Sequence, residues 1–160
     1  MTPTIAPAPV RTQVEVGAPP DRVFAFFIAR MGRWWRKDHS LLGDRVREDV
    51  VVEPRVGGRW YERAVDGSEC TWGKVLAWDP PGRVVLAWQL DADWRYDPAL
   101  ITELEIKFVA LAGSRTLVAL EHRKLENFGA RAEEIRAALD SYDAWQGALE
   151  RFVELADAEA

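Results

Sequence analysis

Six segments of alternating hydrophobicity, followed by one long segment of helical periodicity, constrain the fold of this chain most strongly. From Val46 onward apolar residues recur at every second position through VREDVVVE, GGRWYERAV, ECTWGKVLAW, RVVLAWQL, ITELEIKFV and SRTLVALEHRK. Short stretches with Gly, Pro or Asp separate these segments, as turns do in an antiparallel meander. Residues 130–157 instead place apolar side chains three and four positions apart, which predicts a single long helix.

The first 45 residues predict one more strand and two short helices. Residues 10–16, VRTQVEV, alternate as a half-buried strand does, and Pro19, Pro20 and Asp21 then give a helix start. Residues 32–45 lose both periodicities and predict a short helical turn and a loop. The fold class is therefore α+β, with a seven-stranded antiparallel sheet that curls around the only helix long enough to cover it.

Length and composition predict one domain over residues 10–157, preceded by a disordered proline-rich tail at residues 1–9. The chain has 160 residues, a formal charge of -5 and a single cysteine, Cys70. The negative charge argues against nucleic acid or an anionic membrane as a partner, because no basic tract contacts phosphates. The sequence has no stretch of about 20 apolar residues, which is the length that a membrane-spanning helix needs. We therefore expect a cytoplasmic protein, and its oligomeric state stays open, a homodimer included.

The hairpin TWGKVLAWDPPGRVVLAWQL (71–90) carries three tryptophans. If the turn occupies residues 79–83, Trp78 pairs with Val84, and a regular ladder then places Lys74 beside Trp88 and Trp72 beside Leu90. All three tryptophans would share the inner face of the sheet. A slip of one residue would overturn this register.

The same parity places three ionisable groups, Glu62, Lys74 and His122, on that apolar face. Buried charge is costly without a partner, so this pattern predicts a cavity with polar groups at one end. The alternative is a core filled by aromatic side chains, and we expect Trp34, Trp35 and Trp78 to fill it. The candidate cavity residues are Trp60, Glu62, Trp72, Lys74, Trp88, Leu104, Ile106, Leu120, His122, Tyr142 and Trp145.

The chain resembles the START-like (SRPBCC) superfamily and, within it, bacterial homologues of the activator of the heat-shock-protein-90 ATPase. The resembling residues are APPDRVFAFF with the WW pair, GGRW, GKVLAWDPPGRVVLAW, TLVALEH and the final helix with Trp145. The resemblance implies the helix-grip fold, in which the sheet encloses a long C-terminal helix, and a cavity that often takes hydrophobic ligands. It does not imply one activity.

Three functions stay open at this stage. The first is non-enzymatic binding of a small hydrophobic molecule, with no cofactor. The second is a cyclase- or hydrolase-like enzyme that uses His122 and Glu62 as an acid–base pair. No metal-binding pair, nucleophile elbow or phosphate loop supports other chemistry, and His39 is expected in solvent. The third is a chaperone-interacting module that uses the outer sheet face or residues 33–36 and 45–47.

Overall fold

A computed structural model describes residues 7–36 and 39–159, and it has a seven-stranded antiparallel sheet. The strands lie in the order β1-β7-β6-β5-β4-β3-β2. Their bounds are Val10–Val16 (β1), Arg47–Val52 (β2), Arg59–Ala64 (β3), Glu69–Asp79 (β4), Arg83–Trp88 (β5), Thr102–Leu111 (β6) and Arg115–Arg123 (β7). Among the described strands, β1 and β7 are the only sheet neighbours that are not consecutive in the chain, so β1 and β2 lie at the two edges. The predicted fold class is confirmed.

Two short helices, α1 (Pro20–Ala29) and α2 (Met31–Trp34), connect β1 to β2. Proline stands at the first position of α1, where its missing N–H costs no hydrogen bond. The apolar stripe of α1 buries Val23, Phe24 and Phe27. Both helices contact the sheet and the C-terminal helix, and α1 faces the core with its apolar stripe, as the spacing of its apolar residues predicts.

The C-terminal helix is interrupted, which corrects the prediction of one helix over residues 130–157. A 3₁₀ segment (Leu125–Arg131) leads into α3 (Ala132–Leu139), a wide π-type turn follows at Tyr142–Gln146, and α4 runs over Gly147–Glu159. Ser141 is extended, and Ala144 has φ −89° and ψ −122° inside the turn. Asp and Ser favour helix ends over helix interiors because their side chains compete for backbone hydrogen bonds.

Strand β4 is irregular, which corrects the predicted hairpin register. Trp78 does pair with Val84, but Gly73, not Lys74, lies opposite Trp88. The ladder to β5 skips a residue between Val75 and Ala77, and the ladder to β3 skips one between Thr71 and Gly73. Two β-bulges therefore change the parity of β4 on both sides of Lys74.

The core lies between the concave face of the sheet and α4. Phe152 of α4 is fully buried, and its ring centroid lies 5.1 Å from that of Phe27 and 5.6 Å from that of Trp34. Within the described ranges, no helix is both long and apolar enough to cross a membrane. The first six residues of the predicted tail lie outside the described residues, and Ala8 and Pro9 accept hydrogen bonds from Arg136.

Candidate functional site

A cavity of about 290 Å³ lies between the sheet and the interrupted C-terminal helix. This volume is close to the lower end of the range of roughly 300–1,000 Å³ for small-molecule sites. Its wall is mostly apolar and includes five of the eight tryptophans. The apolar lining residues are Trp35, Leu41, Trp72, Trp88, Leu90, Trp94, Ala138, Leu139, Ala144, Trp145 and Ala148. The break after α3 forms one side, because Leu139, Ala144 and Trp145 all lie along it.

Trp88 forms the floor of the cavity, and a glycine gives it room. Trp60, Gly73 and Trp88 are successive partners across β3, β4 and β5. A Cβ atom on Gly73 would lie 1.7 Å from the carbonyl oxygen of Ala87 and 3.6 Å from the Trp60 ring. Glycine therefore lets the rings of Trp60 and Trp88 approach to a centroid distance of 5.6 Å.

Trp35 and Trp72 form the adjoining wall. Trp72 is the extra residue of the bulge in β4. Consecutive residues of a regular strand face opposite sides of a sheet, but the bulge lets both Trp72 and Gly73 face inward. The two ring centroids lie 4.8 Å apart with 43° between the planes. The indole nitrogens of both residues are buried and have no hydrogen-bond partner among the described residues.

His122 is fully buried beneath this wall in a directional hydrogen-bond chain. The indole N–H of Trp145 donates to Nδ1 at 3.1 Å, and Nε2 lies 2.7 Å from the hydroxyl of Thr102. Because Nδ1 accepts, the neutral ring carries its proton on Nε2 and donates it to Thr102 Oγ1. Thr102 in turn donates to the carbonyl of Trp88. Burial lowers the pKa of His122 to about 3 from its ordinary value of 6.5.

Glu62 is fully buried as well, and it fastens the loop at the cavity mouth. Its carboxylate accepts hydrogen bonds from the hydroxyl of Ser40 at 2.9 Å and from the backbone N–H of Leu41. Ser40 and Leu41 both line the cavity. Glu62 therefore positions the wall from behind.

The structure does not bring Glu62 and His122 together as an acid–base pair. Glu62 lies on β3 and His122 on β7, four strand-to-strand steps apart. At about 4.8 Å per step this is about 19 Å along the sheet. Their hydrogen bonds also point to different partners, so the paired-catalyst interpretation is wrong.

Of the residues predicted from the sequence, the structure brings Trp72, Trp88 and Trp145 to the cavity. Lys74 is exposed on the outer face, because one bulge on either side of it takes it out of phase with Trp72 and Trp78. Because the helix breaks at this residue, Tyr142 is 65% exposed and lines a neighbouring groove, which shares Leu139, Ser141 and Trp145 with the cavity. The others lie in the core behind the cavity and do not line it: Trp60, Glu62, Leu104, Ile106, Leu120 and His122.

Polar groups gather at the mouth, namely Arg36, His39, Ser40, Ser141, Asp143 and Arg151. A guanidinium nitrogen of Arg36 lies 3.6 Å from a carboxylate oxygen of Asp143, so an ion pair crosses from the loop after α2 to the helix break. Arg151 donates to the carbonyl of Trp34 at 3.3 Å. In the part of the chain that the structure describes, no three His, Cys, Asp or Glu side chains cluster as metal ligands would.

Sequence reasoning missed Trp35, Trp94 and the helix break as parts of the site. The sequence predicts that Trp35 fills the core, yet Trp35 lines the cavity. Trp94 lines it as well, from a loop in which its φ is 62°. The signal for the break was the pair Asp140-Ser141, since these residue types favour helix termini. No comparable signal in the sequence indicates the bulges.

Comparison with known proteins gives the family. A family model described as "Activator of Hsp90 ATPase homolog 1-like protein" matches residues 17–157. The chain belongs to this family. Membership agrees with the START-like helix-grip fold, and no curated protein matches the chain.

Three solved structures illustrate the likeness. An anthrahydroquino-γ-pyrone synthase, Txn09, solved in complex with SUM, is 36% identical, with 94% of this chain and 97% of that chain covered and a TM-score of 0.65. The self-sacrificing resistance protein CalC from Micromonospora echinospora is 28% identical, with 96% of each chain covered and a TM-score of 0.68. Protein MLL2253 from Mesorhizobium loti, 16% identical over 95% of this chain and 98% of that chain, has a TM-score of 0.66 and shares the fold.

Proposed function

We propose that the protein binds a small planar aromatic molecule in the cavity between the sheet and the helix break. The observation that carries this proposal is the wall itself, in which five indole rings surround a mostly apolar space of about 290 Å³. Aromatic walls stack on flat rings at centroid distances of about 4.5–7 Å. A 36% identical relative described as an anthrahydroquino-γ-pyrone synthase supports a polycyclic, oxygenated ligand.

Binding without catalysis agrees with the chemistry of the wall. His122 has both ring nitrogens engaged, and Glu62 holds the loop from behind. Neither group lines the cavity, so neither reaches a ligand as a proton donor or acceptor. The titratable groups that do line it are confined to the mouth.

Equilibrium dialysis with fluorenone, a flat three-ring ketone, tests the proposal. We expect one molecule to bind per chain. Ala148 is a small cavity-lining residue on α4, so Ala148→Phe fills the space and abolishes binding. Ala137, exposed on α3 and outside the lining, gives the matched control Ala137→Phe, which keeps binding. Equal binding by both variants would place the probe elsewhere and refute the proposal.

Cyclisation of a bound aromatic precursor is the second candidate function, because the synthase is the relative with 36% identity. An ortho-hydroxyaryl β-diketone forms a γ-pyrone when its phenol oxygen bonds to the distant carbonyl carbon and water leaves. His39 and Asp143 at the mouth are the groups that could move the protons. If pyrone forms faster with the wild type than with His39→Gln, catalysis is supported. If the two rates are equal, binding without catalysis is the remaining function.

A further inference from the structure

Two indole N–H groups of the cavity wall lack an acceptor. Trp35 is 8% exposed and Trp72 is 1% exposed, and neither Nε1 has a hydrogen-bond partner among the described residues. A buried donor without a partner costs about 1–3 kcal/mol. Native proteins rarely keep two such groups side by side without a use.

Three other buried indoles have an acceptor among the described residues. Trp34 donates to the carbonyl of Phe27, Trp60 to the sulfur of Met31, and Trp145 to His122. The two that lack a partner are neighbours, with ring centroids 4.8 Å apart, and both line the cavity. The two N–H groups without an acceptor therefore belong to neighbouring rings of the cavity wall.

We propose that Trp35 and Trp72 form a donor subsite for a carbonyl oxygen of the ligand, so that the ligand class is planar aromatic ketones and quinones. This inference rests on the proposed function, since it names the chemistry of the molecule bound in the same cavity. It goes further by assigning the selectivity to two N–H groups.

The chemistry of indole decides which oxygen fits. An indole N–H donates and has no acceptor capacity, so a hydroxyl group that offers its hydrogen finds no partner there. A carbonyl oxygen has two lone pairs and can accept from both rings at once. A carboxylate would accept as well, but it would lose its hydration in an apolar pocket, at a much higher cost.

A modest movement of the rings completes the subsite. Both nitrogens are shielded from solvent in this conformation, so each indole must tilt to bring its N–H to the cavity surface. Trp35 stands at the C-cap of α2, with φ −73° and ψ 131°, and its backbone is held by Arg47 through the carbonyl group. A tilt of the Trp35 ring leaves this hydrogen bond intact, because the bond involves the main-chain carbonyl group.

Paired dialysis with fluorenone and fluorene tests the subsite, because the two probes share the ring skeleton and differ in the carbonyl group. Trp35→Phe and Trp72→Phe each keep an aromatic ring and remove the N–H group. Each should reduce the preference for fluorenone over fluorene by about fivefold, the value of one ordinary hydrogen bond. Trp34→Phe, outside the cavity lining, should leave the preference unchanged.

Each outcome is decisive. If both variants weaken the two probes equally, the rings only stack and the subsite is refuted, while the binding function stands. If the wild type binds neither probe, the proposed function fails and the subsite with it. Should a variant not fold, NMR of the wild type replaces it: the indole N–H signals of Trp35 and Trp72 must move downfield with fluorenone and not with fluorene, and equal shifts refute the subsite.

Discussion

The indole N–H of Trp145 donates to Nδ1 of His122 at 3.1 Å, and this bond ties the helix break to β7, the strand next to the β1 edge of the sheet. Trp145 lines the cavity, whereas His122 lies beneath it on β7. The histidine therefore orients a wall residue and has a structural role. This relationship replaces the acid–base role that the sequence suggested for His122.

The buried histidine predicts a loss of stability in acid. Its pKa is about 3 in the folded chain and near 6.5 when unfolded. Between pH 6.5 and pH 3, His122 is protonated in the unfolded state but not in the folded state. The contribution of neutral His122 to stability is therefore fully present above pH 6.5 and is lost as the pH falls towards 3. Between pH 7 and pH 5 this amounts to about 2 kcal/mol. Urea unfolding of the wild type and His122→Gln at both pH values measures it, and parallel losses would contradict the assignment.

The carboxylate of Glu62 predicts that the mouth loop depends on one buried side chain. Glu62→Gln keeps one acceptor oxygen for the N–H of Leu41 and offers the hydroxyl of Ser40 an amide donor, but it removes the negative charge that strengthens both hydrogen bonds. We expect the free energy of unfolding to fall by about 1–3 kcal/mol, with faster hydrogen exchange at Leu41. The control is Glu48→Gln, whose side chain is 52% exposed in an ion pair with Arg63 and should cost less than about 1 kcal/mol. Equal costs would contradict the anchoring role.

Gly73 predicts a severe steric effect. In Gly73→Ala the new Cβ would meet the carbonyl oxygen of Ala87 at 1.7 Å, so strands β4 and β5 must separate. We expect a loss of at least about 3 kcal/mol in urea unfolding. Gly82→Ala is the matched control, because its nearest atom lies at 3.9 Å, and it should stay within about 1 kcal/mol. A well-folded Gly73→Ala protein would contradict the close packing under Trp60 and Trp88.

The outward position of Lys74 predicts that this residue does not affect ligand affinity. Lys74→Ala should bind fluorenone as the wild type does, while Trp94→Ala removes a wall ring and weakens binding by about fivefold. Both side chains are exposed or half-exposed, so both substitutions spare the core. Dialysis compares them directly. If only Lys74→Ala weakened binding, Lys74 would contact the ligand, and its outward position would be contradicted.

Hydrophobic periodicity predicts the seven strands, α1 and the antiparallel sheet. The alternation of Leu104, Ile106 and Phe108 with charged residues gave the inner face of β6, and the turn residues gave the hairpin with Trp78 opposite Val84. These features depend on local sequence. The length of the last helical segment predicts that the sheet curls around it, and the resemblance to known proteins implies the same arrangement.

The parts of the site that could not be predicted depend on local irregularities. A bulge adds one residue to a strand without a distinct composition, so the parity of Lys74 and Trp72 could not be read from the alternation. The spacing of Leu139, Tyr142 and Trp145 fits a continuous helix, so periodicity hides the break between them, and only the residue types of Asp140 and Ser141 indicate it. Trp35 lies next to Trp34, yet the first fills the cavity wall and the second the core.

Intermolecular NOEs between fluorenone and the wild-type protein test the central claim most directly, because they locate the ligand. The cavity predicts NOEs from the probe to the indole protons of Trp88 and Trp94 and to the methyl groups of Leu90, none of which lines the Tyr142 groove. NOEs confined to the exposed Tyr96 or to the Tyr142 groove would contradict it, as would the absence of saturable binding.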